Sequence, residues 1–200
     1  MRIGFLGPAQ GDLELLERSA SFLLRERVAR VVYLSHDGAL DQCVVAWAAR
    51  LVGDDPTDDG AWSRAAEVAI SGASDDLDAF VASERQRLRL RALVSLPEGS
   101  PCSLETLGDL TILMTHDAGP LSEEDLSHAA LIVDGASADP TLELRGNRWW
   151  LAPGHLGLHG GLAVIDTHAE VPTVVVYDGE QREVLRGEVT FPQAPKQPHP

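Results

Sequence analysis

Histidine and carboxylate side chains recur in this sequence just beyond short apolar runs: His36 and Asp37 with Asp41 a turn later, then His116 and Asp117, Asp134 and Asp139, and His155 and His159. Imidazole nitrogens and carboxylate oxygens are the donors that hold divalent cations, and they can reach one ion from different loops. The same residue types also cap loops and solvate the surface of an acidic protein, so both readings stand at this level. Other catalytic engines lack their parts. No Ser-His-Asp or Cys-His combination stands out, and no glycine loop has the form that cradles phosphate. Cys43 and Cys102 are far apart and lack the spacing of a metal knuckle, which predicts two separate buried thiols.

The elements that must position these groups follow from periodicity. Arg2 to Gly7 reads as a short buried strand running into a Pro8-Ala9-Gln10-Gly11 loop. Asp12 stands at a helix N-cap, and Leu13, Leu15, Leu16, Ala20, Leu23 and Leu24 recur at helical spacing behind it. Val28 to Leu34 is a second buried strand, so the chain opens with a βαβ unit and two parallel neighbours. Helices are expected over Asp41–Val52, Ala61–Ile70 and Asp76–Ala92, with a Pro- and Asp-rich loop at 54–60. Of these, the stretch from Ala61 to Ala92 is expected to cover one side of the sheet rim and to bury Trp62, Ala66, Val68, Leu77, Phe80, Val81 and Leu88.

After Pro97 the character changes. Leu110–Thr115 and Leu131–Val133 read as buried strands flanking a short capped helix at Ser122–Ala130. These strands are expected in one sheet with the opening pair. A hairpin turning at Gly146-Asn147 and strands at Gly161–Asp166, Thr173–Tyr177 and Glu183–Thr190 complete a β-rich second half. Trp149 and Trp150 lie on one strand, so their rings point to opposite faces. Either one is exposed as a partner-binding anchor, or helices cover both. The fold class is α/β, a sandwich of two mixed sheets flanked by helices. Residues 1–191 are expected to form one domain with a helical insertion at about 55–92, and 192–200 a Pro-rich tail.

Composition excludes several classes of function. The net charge of −15, from 31 acidic and 16 basic residues, repels phosphate backbones and argues against nucleic-acid binding. The dense basic stretch, Arg85, Arg87, Arg89 and Arg91, alternates and so spreads around a helix instead of forming one face. No apolar run reaches the length of a membrane span, and no leader precedes the first strand, which together predict a cytoplasmic protein.

Several motifs add a family. The segment GFLGPAQGDLELLE (Gly4 to Glu17), the strand VARVVYLSH (Val28 to His36), ILMTHD (Ile112 to Asp117), LIVDGASADP (Leu131 to Pro140) and RWWLAPGHLGL (Arg148 to Leu158) follow one another in order. Together they resemble the small bacterial and archaeal phosphodiesterases of the calcineurin-like metallophosphoesterase superfamily, over nearly the whole chain. The resemblance implies two divalent metals clamping a phosphate at the carboxyl ends of the strands. It also implies that most of the ligands are missing. Pro8 and Gln10 stand where the family carries Asp and His, His36 where it carries a bridging Asp, and Ala136 and Ala138 where it carries paired histidines. No counterpart of the family's Gly-Asn-His motif is found, and His116 alone keeps its register. The glycines at 154, 157, 160 and 161 fall in the family's loop between strands.

The resemblance therefore implies a degenerate member with a relic cleft built from Gln10, Gly11, Asp12, His36, Asp37, His116, Asp117, Gly135 and His155. Such a chain would hold no metal and no other cofactor, and would bind a protein partner as a scaffold, as the retromer subunit of this fold does. The alternative is a divergent phosphoesterase with one divalent metal on His36, His116 and Asp117 or Asp37. A cleft kept for a small ligand is a third reading.

Overall fold

The computed structural model describes residues 1–53, 60–157 and 159–190. The loop expected at 54–60 and the Pro-rich tail lie outside the described residues, apart from Gly60. The opening βαβ unit forms as its periodicity predicts: β1 (Arg2–Leu6), α1 (Leu13–Arg25) and β2 (Arg30–Tyr33), with β1 and β2 parallel and Phe5 beside Val32. The Asp12 carboxylate accepts from Leu15 N–H at 2.9 Å and caps α1. Three helices follow, α2 (Ala39–Leu51), α3 (Ala61–Ser71) and α4 (Ser74–Arg91), before β3 (Leu93–Ser95) adds a parallel edge beside β2.

The remaining elements are β4 (Cys102–Leu107), β5 (Leu110–Thr115), a one-turn α5 (Glu123–Leu126), β6 (Leu131–Asp134), β7 (Thr141–Arg145), β8 (Arg148–Ala152), β9 (Leu162–Asp166), β10 (Thr173–Tyr177) and β11 (Glu183–Glu188). They complete two mixed sheets, one of six strands ordered β11-β10-β9-β1-β2-β3 and one of five ordered β4-β5-β6-β8-β7. The expectation of a single sheet for the early strands is thus corrected: β1 and β2 lie in the first sheet, β5 and β6 in the second. An apolar run marks a buried strand but carries no information about which sheet it joins. The switch occurs where β3 ends its sheet and the Pro97–Pro101 segment carries the chain across.

Side-chain alternation then sorts the core into layers. Ile3, Phe5, Val32, Ile112, Met114, Val133, Leu151 and Ile165 meet between the sheets. On the outer face of the six-stranded sheet Leu6, Val31, Tyr33 and Val164 pack under α1 and α2 with Leu16, Leu23, Leu40 and Trp47. Leu113 and Ile132 face outward from the five-stranded sheet beneath Leu126 of α5. The order of layers is helices, sheet, sheet and a short helix. No helix among the described residues is long and apolar enough to cross a membrane.

The middle segment is helical as expected, but its burial is not. Trp62 is 88% exposed, Leu88 65%, Leu77 45% and Val81 43%, and Ala66 is exposed as well; only Val68 and Phe80 are half-buried. What anchors α4 is its last two turns, where Arg87 and Leu90 are buried. Arg87 lies 3.3 Å from Glu84, so one of the four alternating arginines is inside and not solvated. α3 packs on α4 and leaves Trp62 and Ile70 in solvent.

Candidate functional site

The carboxyl ends of β1, β2, β5, β6 and β8 meet at one rim, because glycines let the loops of the two sheets touch. A Cβ on Gly7 would fall 1.8 Å from Gly154 O, and one on Gly135 2.4 Å from Leu34 O. Backbone bonds seal the contact: Gly7 N–H donates to Gly161 O at 2.8 Å and Leu156 N–H to Pro8 O at 3.0 Å. The β1–α1 loop enters α1 through two left-handed residues, Gln10 (φ 51) and Gly11 (φ 87), of which only the glycine takes that conformation freely.

Most of the residues singled out from the sequence do converge here, though in separate groups. His36 and His116 stack edge-to-face with ring centroids 5.7 Å apart. His116 Nδ1 donates to Leu34 O at 2.9 Å, which in the neutral ring leaves the lone pair on Nε2. Gln10 Nε2 donates to His155 Nδ1 at 2.5 Å, pinning the first loop to the last. Gly135 sits against Leu34 O, the same carbonyl that His116 engages.

The carboxylates have other work. Asp37 accepts from Tyr33 Oη at 2.9 Å and from Ala39 N–H at 3.0 Å, so both of its oxygens organise the start of α2. Asp117 accepts from Gly119 N–H at 2.8 Å and shapes its own turn. Asp134 accepts from Ala136 N–H, Asp12 caps α1, and Asp41 accepts from Ser95 Oγ at the edge of the sheet. His159 is exposed. Among the described residues no group of three or more His, Cys, Asp and Glu side chains is placed to hold a metal ion. Pro8, Gln10, Ala136 and Ala138 on the same loops carry neither a carboxylate nor an imidazole.

Two residues of the rim went unread in the sequence. Tyr33 is fully buried, accepts from Ala9 N–H at 3.0 Å and donates to Asp37, so one phenol joins the β1–α1 and β2–α2 loops. Burial pushes its hydroxyl up to about 12, the Asp37 carboxylate adding to the rise and the Ala9 N–H opposing it. Thr115 Oγ1, equally buried, lies 2.7 Å from Pro101 O and 3.0 Å from Asp117 O and holds the turn that carries His116.

The tryptophans offered as partner anchors are engaged within the chain. Trp149 packs against the inter-sheet core and donates from Nε1 to Thr190 O at 2.8 Å. Trp150 points to the opposite face, against the α5 cluster, with the Arg145 guanidinium over its ring at 5.0 Å. Both are half-buried. Cys43 and Cys102 are free thiols, Cys43 buried and Cys102 partly so.

No protein-family model matches the sequence, and no curated protein does. Solved structures do match. YfcE, a phosphoesterase from E. coli, superposes with a TM-score of 0.54 at 16% identity, covering 95% of this chain and 100% of its own. Vacuolar protein sorting 29 from Cryptosporidium parvum gives 0.54 at 10% identity over 94% and 96%. A predicted phosphoesterase from Streptococcus pneumoniae gives 0.51 at 14% over 94% and 95%. At such identities the likeness is one of fold.

Proposed function

We propose, from the premise that this chain has the fold of the calcineurin-like metallophosphoesterases, that it is a degenerate member which binds protein and does not cleave phosphate esters. The donor set at the rim carries this reading. Pro8, Gln10, Ala136 and Ala138 stand on the loops where the resemblance calls for Asp or His, and Asp37 accepts hydrogen bonds on both oxygens, from Tyr33 and Ala39. A neutral imidazole at His36 offers one lone pair and cannot hold two cations together as a bridging carboxylate does. Support for a protein-binding role comes from the exposed apolar side chains of α3 and α4, and from a structural neighbour named for vacuolar sorting. The two free thiols agree with a reducing, cytoplasmic setting.

A second reading rests on the His36–His116 contact. Two adjacent rings, one with its tautomer fixed by Leu34 O, could hold a single divalent ion with Asp117 completing the set. Elemental analysis of protein purified without chelator decides between the readings, alongside hydrolysis of a generic phosphodiester. The expected result is less than stoichiometric manganese, zinc or iron and no turnover. Near-stoichiometric metal and phosphodiesterase activity, both lost in His116→Ala, would replace the first reading with the second.

A further inference from the structure

The exposed face of α4 has a pattern that selects its own partner. At about 100° per residue, Leu77, Val81 and Leu88 fall on one stripe of the helix, and all are solvent-exposed. Trp62 of α3 stands beside Leu88 at the C-terminal end of that stripe, lining the same groove. One flank carries Asp78 in its first half and Arg85 and Arg89 in its second, with Asp75 further round the helix from the stripe. All four are exposed, and none has a side-chain partner among the described residues.

We infer that α4 pairs antiparallel with α4 of a second copy of this chain, about a dyad near Ala82 and Ser83. A two-fold axis there sets Leu77 opposite Leu88 of the other copy and brings the two Val81 side chains together at the centre. The same axis sets Asp78 opposite Arg85, twice over. In an antiparallel pair each flank faces its own equivalent, so a helix acidic at one end and basic at the other is complementary to itself. A parallel pair would instead turn this flank toward the opposite side of the other α4, which α3 lines, and leave Asp78 and Arg85 without each other. Nucleic acid and acidic peptides suit only half of the flank, on a chain whose net charge of −15 repels them.

The contact is small. A helix of 18 residues is about 27 Å long, and pairing along it sits at the weak end of specific interfaces, with dissociation constants of roughly micromolar order. The inference is independent of whether the rim holds a metal.

Sedimentation equilibrium on the intact chain tests it, up to about 100 µM and at low salt. The mass should rise toward twice the 21.5 kDa of one chain. Arg85→Glu with Arg89→Glu makes the flank wholly acidic, and Asp75→Arg with Asp78→Arg makes it wholly basic. Each double variant should dissociate at least about tenfold more readily, with unchanged circular dichroism because every position is on the surface. An equimolar mixture of the two should associate, and so should the quadruple exchange within one chain. A wild-type chain that stays monomeric would overturn the inference. So would double variants as dimeric as the wild type, or a mixture that remains monomeric.

Discussion

Tyr33 is the residue on which the rim turns. Its hydroxyl takes the Ala9 N–H and gives its proton to Asp37, and Ala9 is itself buried, so Tyr33→Phe leaves a buried N–H without an acceptor. The expected loss is about 1–3 kcal/mol in urea unfolding. The same hydroxyl makes stability depend on pH with a definite sign. Its pKa rises from 10.0 in the unfolded chain to about 12 in the folded one, so its contribution is complete below pH 10 and drains away as pH climbs toward 12. The difference between wild type and Tyr33→Phe should therefore be flat from pH 7 to 9.5 and shrink above it; a constant difference through pH 12 would show that the phenol is not the titrating group. None of this was legible in the sequence. Tyr33 reads there as one more apolar strand position, and its partner Ala9 lies 24 residues away across a βαβ crossover. His36 and His116 were legible, because residues that follow a buried strand must emerge at its end.

At the scale of elements, helices and strands were legible because each has its own period. Their neighbours were not. The apolar spacing of Ala61 to Arg91 identifies helices with an apolar stripe, but the same stripe serves a core or a partner, and here Trp62 and Leu88 face solvent while Leu90 goes inside. Two tryptophans measure the contrast. Trp47→Ala on α2, where the ring is buried and bonded to Glu17, should cost about 3–5 kcal/mol. Trp62→Ala on α3 should change the stability of the monomer by less than about 0.5 kcal/mol. Equal losses in chemical denaturation would mean that α3 is buried in solution. The join between the sheets is also an element-scale feature, since it depends on glycines where loops cross. Gly7→Ala and Gly135→Ala push a methyl into backbone oxygens at 1.8 and 2.4 Å. Each should destabilise by roughly 2–4 kcal/mol, and thermal melts of both variants against Gly11→Ala, whose added methyl meets nothing, separate clash from backbone strain.

For the whole molecule, the metal question becomes a question of linkage. A ligand that binds only the folded chain stabilises it in proportion to the logarithm of its excess over the dissociation constant. At 100-fold excess that is about 2.7 kcal/mol, or a rise in Tm of roughly 5–10 °C for a chain of this size. On the proposed reading the rim forgoes that gain. The control matters here, because a chain with a net charge of −15 repels itself, and any divalent cation relieves the repulsion without a site. Magnesium at the same concentration measures that unspecific part, since His36 and His116 are poor ligands for so hard an ion. Manganese or zinc at about 1 mM should therefore raise Tm no more than magnesium does, to within about 1 °C. A further rise of several degrees with zinc or manganese, abolished by His36→Ala or His116→Ala, would instead place one bound ion on the paired rings. That ion would find two imidazoles, with Asp37 already hydrogen-bonded to Tyr33 and Ala39 and Asp117 to Gly119. Such a set is that of the single-ion reading, and the tight binding that reading requires would then replace the proposal of a rim without metal.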